Sequence, residues 1–306
     1  MDNPNLIVIL GPTASGKTGL GVKAARLLGG EIVSADSRQV FRGMDLGTGK
    51  DLEEYGEVPY RLIDVADAGD EYSVFAFQRD CYAALEDIWR SKGTPLLVGG
   101  TGLYLEAVLQ GYRMVEVPEN PELRAELARL EEDALRDRLL RLRPDQHNRS
   151  DLEERERLVR AIEIAEGSAT LAAELPPLPE VRPLVYGLRW SRTLLRRRIT
   201  DRLHERLNLG MIAEVERLHA DGVAWEALEF YGLEYRFVAQ HLQGQLNRND
   251  MVQKLASAIH QFAKRQETWF RRMERRGTAI HWLDGEQDPW GLLREDLQRR
   301  GLAGAG

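Results

Sequence analysis

Residues 11–18 read Gly-Pro-Thr-Ala-Ser-Gly-Lys-Thr, which matches the spacing G-x-x-x-x-G-K-[ST]. Residues of these types at this spacing bind phosphate. Backbone N–H groups of the loop and the positive end of the following helix form a nest for phosphate oxygens. The lysine reaches an outer phosphate, and the hydroxyl of the last residue holds Mg²⁺. Gly11, Pro12, Thr13, Ala14, Ser15, Gly16, Lys17 and Thr18 are therefore candidate diphosphate or nucleotide ligands, with Thr18 the candidate metal ligand. The motif specifies phosphate and leaves open what carries it.

Two further segments carry polar residues where ligands gather in open parallel sheets, outside the carboxyl ends of the strands. The first is Ser34-Ala35-Asp36-Ser37-Arg38-Gln39-Val40-Phe41. Asp36 in this place is a metal ligand, a general base or a helix N-cap, three roles that spacing alone does not separate. The second is Gly99-Gly100-Thr101-Gly102-Leu103-Tyr104, whose glycines allow close backbone approach to a ligand. Thr101 either caps the next helix or meets a substrate.

The elements that must hold these residues alternate. The apolar run Leu6–Leu10 predicts a first strand, and Leu20, Ala24, Leu27 and Leu28 predict the helix after the loop. Residues 31–35, 61–65 and 95–98 read as further strands, and Val74, Phe77, Cys81, Leu85 and Ile88 as a helix. This alternation predicts a parallel sheet with helices on both faces, an α/β P-loop NTPase-like core. From about 118 to 180 the pattern is helical and charged, with Leu123, Leu127 and Leu130 marking one helix and Leu152, Leu158, Ile162 and Ala165 another. The proline-rich run 175–179 ends that stretch, and 183–188 returns to strand character. We expect a core in two parts, 1–117 and 181–306, interrupted by an all-helical insertion at 118–180. The second part predicts helices from Ser191 and Gly210, a long helix over 250–276 and a last strand at 278–283.

The chain has 306 residues, 43% hydrophobic and 30% charged, an ordinary globular composition. No apolar run is long enough for a membrane helix, and the first residues, Met1-Asp2-Asn3-Pro4, lack the pattern of a secretory signal. One cysteine, Cys81, excludes an internal disulfide and a cysteine-based zinc site, and its place in a helical pattern suggests a small buried hydrophobe. We expect a cytoplasmic, monomeric enzyme with no membrane contact. The net charge of −7 argues against coating nucleic acid by bulk charge, yet 189–206 and 264–276 are rich in arginine and lysine. Local basic faces can hold a polyanion on an acidic protein.

Read in order, the phosphate loop, Ser34–Phe41, Gly-Met-Asp-Leu-Gly-Thr-Gly-Lys at 43–50, Leu-Val-Gly-Gly-Thr-Gly-Leu-Tyr at 97–104 and Ala-Lys-Arg-Gln-Glu-Thr-Trp-Phe at 263–270 resemble the tRNA dimethylallyltransferase (isopentenyltransferase) family. The resemblance is dense over 6–115, moderate over 184–283 and weak over the insertion. It implies transfer of a dimethylallyl group from dimethylallyl diphosphate to N6 of the adenine at tRNA position 37, next to the anticodon, with Mg²⁺ and release of diphosphate. It implies that Asp36 is the catalytic base, that Thr101 contacts the same adenine, and that Arg198 grips the diphosphate, with Arg202 one turn further on. It places Asp36, Ser37, Arg38, Gln39 and Thr101 against RNA, Gln39 through a base edge, and gives Arg124, Arg157 and Arg160 of the insertion RNA-contacting roles. Where many relatives have Gly-Tyr and a basic residue, this chain reads Gly232-Leu233-Glu234-Tyr235. The competing readings are an adenylate prenyltransferase acting on free AMP, ADP or ATP, a small-molecule kinase, and a nucleotide-switched RNA-binding module. A kinase or switch usually supplies an apolar strand ending in aspartate for Mg²⁺, whereas the strand at 95–98 runs into Gly-Gly-Thr.

Overall fold

The structure is a computed structural model that describes residues 3–114, 117–144, 155–171 and 177–304. It divides into two compact units, one of Met1–Gly111 with Pro179–Gly306 and one of Tyr112–Leu178. The insertion expected at 118–180 starts six residues after the start of the second unit and ends two residues beyond its end.

The larger unit is built on six parallel strands: β1 (Leu6–Leu10), β2 (Gly30–Ala35), β3 (Tyr60–Arg61), β4 (Thr94–Gly99), β5 (Pro183–Arg189) and β6 (Ile280–Asp284). Their order is β3-β2-β4-β1-β5-β6. All five residues of β1 are buried, as a central parallel strand covered on both faces requires. Registers of Ile9 with Val98 and Tyr186, and of Ala35 with Gly99, bring the carboxyl ends of β1, β2, β4 and β5 to one edge. Helix α1 (Lys17–Leu28) follows β1, α2 (Val74–Arg90) carries the buried Cys81, and α3 (Gly102–Leu109) follows β4.

The expected strand at 61–65 shortens to Tyr60–Arg61. Leu62 and Asp64 adopt positive φ, which breaks the ladder and turns the Asp64 carboxylate onto Lys50. After β5 come α7 (Arg192–Asn208), α8 (Met211–Ala220), α9 (Trp225–Phe230), α10 (Leu233–Leu242) and α11 (Arg248–Arg275), then α12 (Pro289–Arg299) after β6. The sequence reading missed α9, α10 and α12, short helices set off by turns at Gly222, Gly232 and Gly285. Leu195, Leu203, Met211, Val215, Val238 and Leu255 from these helices pack around Phe41 and Met44 in a second core of the same unit.

The smaller unit contains α4 (Pro121–Leu127), α5 (Glu132–Leu142) and α6 (Arg155–Leu171). Leu123, Leu127, Leu135, Leu139, Leu158 and Ile162 form its apolar centre. Leu152 and the first two residues of the proline-rich run, Leu175 and Pro176, lie outside the described residues. Among the described residues no helix is long and apolar enough to cross a membrane.

Candidate active site

The phosphate loop bends through left-handed backbone at Ala14 (φ 59°) and Gly16 (φ 87°) and delivers Lys17 and Thr18 into the first turn of α1. The N–H groups of that first turn have no partner within the helix and are available to an anion. The loop is braced from outside. Trp190 Nε1 donates to the Ser15 carbonyl at 3.0 Å, and Arg198 Nε donates to the Ala14 carbonyl at 2.8 Å. The Arg198 guanidinium stacks 4.3 Å above the Trp190 ring and remains largely exposed, so its charge faces the mouth of the loop. Lys17 Nζ reaches the Pro12 carbonyl at 3.4 Å. Burial lowers its ammonium to about 8; Asp36 opposes the shift, and Arg202 and Arg206 add to it. Asp36, Arg202 and Arg206 thus act electrostatically on the phosphate-loop lysine.

Asp36 and Thr101 follow directly on the paired strands β2 and β4. Thr101 N donates to the Ala35 carbonyl at 3.2 Å, and Ser37 N donates to Thr101 Oγ1 at 3.0 Å. Thr101 stands at the N-cap position of α3 yet makes no side-chain cap hydrogen bond. Asp36 caps no helix, because a turn follows it, and its Oδ1 accepts from Arg38 N at 3.0 Å. Both side chains are half-buried at the same strand edge. Of the roles open to Asp36 on spacing, base and metal ligand remain.

Gln39 departs from its expected role at a base edge. It is buried; its Oε1 accepts from Ser34 Oγ at 3.1 Å, and its Nε2 donates to the Gly49 carbonyl at 3.0 Å. The β2 carboxyl end turns this side chain inward, where it ties the 36–39 turn to the 43–50 loop. Arg38 lies 5.9 Å from the centre of the exposed Phe230 ring.

Several residues that shape the site were given no role from the sequence, although Lys50 and Gln266 lie in the segments 43–50 and 263–270 that resemble the family. Gln266 on α11 is buried, accepts from Thr13 N through Oε1 at 2.9 Å and donates to the Gly100 carbonyl through Nε2 at 2.9 Å. It therefore clamps the phosphate loop to the turn that carries Thr101. Gly100 makes room for it, since a Cβ there would lie 2.6 Å from Gln266 Nε2. Glu214 on α8 accepts from the N–H groups of Asp45, Leu46 and Gly47 and from the Tyr235 hydroxyl. The buried Lys50 ties the same loop to the Phe41 carbonyl and to Asp45 and Asp64. The visible signal in each case is a charged or amide side chain among apolar neighbours, as Gln266 sits among Ile259, Ala263 and Phe270.

The three expected RNA-facing arginines of the smaller unit are differently placed. Arg124 gives the buried Glu163 two bonds, Nε at 2.8 Å and Nη2 at 2.9 Å. Arg160 Nη1 adds a third at 3.1 Å, and Asn120 N a fourth at 2.9 Å. Burial alone would raise the Glu163 carboxyl, but these bonds outweigh it and hold it at about 2. Arg124 and Arg160 thus serve the unit's own packing, and Arg157 lies exposed on α6.

A family model described as "IPP transferase" matches residues 39–273. The chain is 66% identical over 291 residues to "tRNA dimethylallyltransferase 2" of Syntrophotalea carbinolica, covering 95% of this chain and 98% of that one. It is 62% identical over 294 residues to "tRNA dimethylallyltransferase 1" of Geotalea uraniireducens, covering 96% and 97%. Among solved structures it resembles a full-length tRNA isopentenylpyrophosphate transferase from Bacillus halodurans, with a TM-score of 0.70, 29% identity and 98% of each chain covered.

Proposed function

The chain belongs to the IPP transferase family and is a tRNA dimethylallyltransferase, and from that premise we propose how its residues divide the reaction. The donor is dimethylallyl diphosphate. Its diphosphate lies in the nest of residues 11–18, held by loop N–H groups, Lys17 and Arg198. The acceptor is N6 of the adenine at position 37, taken out of the stack of the anticodon loop, where extrusion costs little. Asp36 and Thr101 receive it. The reading takes the enzyme as a cytoplasmic monomer.

An adenine amino group is a weak nucleophile because its lone pair is delocalised into the ring. As N6 bonds to the first carbon of the dimethylallyl group, the carbon–oxygen bond to diphosphate breaks and its electron pair leaves with the diphosphate. The N6 proton passes to the Asp36 carboxylate. Lys17, Arg198 and the loop N–H groups stabilise the charge that grows on the leaving group. Thr101 Oγ1 accepts from Ser37 N at 3.0 Å and donates to Ser37 Oγ at 3.3 Å, which holds its side chain beside Asp36.

Among the described residues no group of three His, Cys, Asp or Glu side chains could hold a metal unaided. The donor set fits Mg²⁺ only in the manner usual for phosphate substrates, through one protein oxygen, here Thr18, with diphosphate oxygens and water. When bound, Mg²⁺ supplies further positive charge to the leaving diphosphate.

The observation that carries this reading is the meeting of Asp36 and Thr101 at one strand edge, within electrostatic range of Lys17. The test is label transfer from dimethylallyl diphosphate to unmodified tRNA, with AMP and ATP as competing acceptors. Asp36→Asn should lower turnover by about 10²–10⁴ with pyrophosphate binding retained. Label on the free nucleotides alone would overturn the tRNA acceptor. Full turnover by the variant would overturn the base.

A further inference from the structure

Helix α7 presents Arg198, Arg202 and Arg206 four residues apart, on one face. Along this row Arg198 is exposed, Arg202 half-buried and Arg206 only 8% exposed. Arg202 Nη2 is satisfied, by Asp51 Oδ2 at 2.5 Å and the Gly49 carbonyl at 3.3 Å. Arg206 Nη2 has no hydrogen-bond partner among the described residues. The same Asp51 oxygen lies 3.7 Å away, beyond hydrogen-bond reach and already engaged by Arg202.

The space this guanidinium occupies is kept open for it. Gly49 has φ 65°, and a Cβ there would fall 1.5 Å from Arg206 Nη2. Arg206 and Arg202 line a small cavity, about 10 Å³, together with Thr13 and Ala14 of the phosphate loop and Glu234 of α10. On that loop the Ser15 hydroxyl is likewise buried and unpaired. Burial, then the neighbouring Arg202, lowers the Arg206 guanidinium to about 10. A buried cation with an unmet donor destabilises a fold unless something supplies the missing acceptor.

We infer that Arg206 is a ligand of the donor's diphosphate, its Nη2 completing, with Arg202 and Arg198, a side-chain wall that faces the phosphate loop. The inference rests on the diphosphate reading above and adds a residue to it. A diphosphate offers more acceptor oxygens than one lysine and a turn of N–H groups can satisfy, and planar guanidinium groups suit the surplus. The buried Nη2 donor is then matched to a substrate oxygen.

The experiment is calorimetric titration of the full chain with inorganic pyrophosphate in the presence of Mg²⁺, alongside thermal unfolding, for the wild type, Arg206→Met and Arg206→Lys. Arg206→Met should weaken pyrophosphate binding by about 10- to 100-fold, the range for loss of a charge-assisted hydrogen bond. Its melting temperature should be equal to or above that of the wild type, because a buried donor without an acceptor has gone while Asp51 keeps its bond to Arg202. Arg206→Lys should bind with intermediate affinity. In turnover assays KM for the donor should rise while KM for tRNA holds. Unchanged pyrophosphate affinity in Arg206→Met overturns the inference and leaves the diphosphate reading standing. A fall in affinity that only tracks a fall in melting temperature also overturns it, in favour of a structural role. Failure of the wild type to bind pyrophosphate would overturn both.

Discussion

Replacing Gln266 by leucine separates the two halves of the site without touching either substrate. Leucine has a similar volume and no polar atoms, so the apolar surroundings of Ile259, Ala263 and Phe270 stay filled. What is lost is the pair of 2.9 Å bonds to Thr13 N and the Gly100 carbonyl. Each orphaned backbone group costs about 1–3 kcal/mol unless water reaches it, so the variant should lose roughly 2–5 kcal/mol. A fold of this size should survive that loss with a lower melting temperature. The larger effect should be on turnover. Gln266 fixes the distance between the loop that holds the donor and the turn that bears Thr101, and a misplacement of about 1 Å between reacting partners costs about 100-fold. The assay is single-turnover prenyl transfer at saturating tRNA and donor, at a temperature where circular dichroism shows the variant folded. Gln266→Glu makes the control sharper. It keeps an acceptor for Thr13 N but sets a carboxylate oxygen against the Gly100 carbonyl, so it should be at least as slow as Gln266→Leu. A single-turnover rate within twofold of wild type in either folded variant would refute the clamp.

Two pH responses follow from other groups. Lys17 titrates in the free protein at about 8, so kcat/KM for the donor at low concentrations of both substrates should fall up to tenfold per pH unit above 8, and Lys17→Arg should flatten that limb. Stability should move the other way: between about 8 and the ordinary lysine value of 10.5 the unfolded chain binds more protons, so this group favours folding as pH rises. Glu163, held at about 2 against an ordinary 4.5, contributes at most about 3 kcal/mol above pH 4.5 and loses it as pH falls towards 2. Hydrogen exchange in α4 and α6 at pH 6 and pH 3 should show that loss in the wild type and a much smaller one in Glu163→Gln; equal acid sensitivity in the two would count against the Arg124–Glu163–Arg160 cluster as its source.

What could be read from the sequence was what is local in it. The phosphate loop announces itself because strand, turn and helix are contiguous over residues 6–28. Asp36 and Thr101 were legible because in a parallel sheet the carboxyl ends of strands share one edge, whatever lies between them in the chain. For Gln39, position in a motif does not reveal which way the side chain turns. Its neighbour Asp36 stays half-open, while Gln39 is drawn in by Ser34 and by Gly49, ten residues further on. For Arg124 and Arg160 the sequence does not reveal the pairing of both half-exposed side chains with the buried carboxylate of Glu163. Gln266 and Arg206 act on partners about 250 and 150 residues away, at Thr13 and at Gly49 and Asp51. Gln266 lies in the family-like segment 263–270, but of the contacts of either residue the sequence shows only that a polar side chain on an apolar helix face needs a partner.

The same contacts explain why a loop of this type need not serve nucleotide hydrolysis. In that chemistry a neighbouring strand usually ends in an aspartate that helps hold Mg²⁺ against the phosphates. Here β4, which pairs directly with β1, runs out through Gly99 and Gly100. A side chain at position 100 would begin 2.6 Å from Gln266 Nε2 and 3.0 Å from the Gly11 carbonyl. The place where such an aspartate would start is filled by the amide of Gln266, so this edge cannot acquire one without losing the clamp. The next residue, Thr101, turns its hydroxyl towards Ser37, beside Asp36. The strand end that supplies a metal ligand in a phosphate hydrolase is thus built here to hold two loops at a fixed separation. A fixed separation serves a reaction in which a leaving group on one loop must face a nucleophile received on the other.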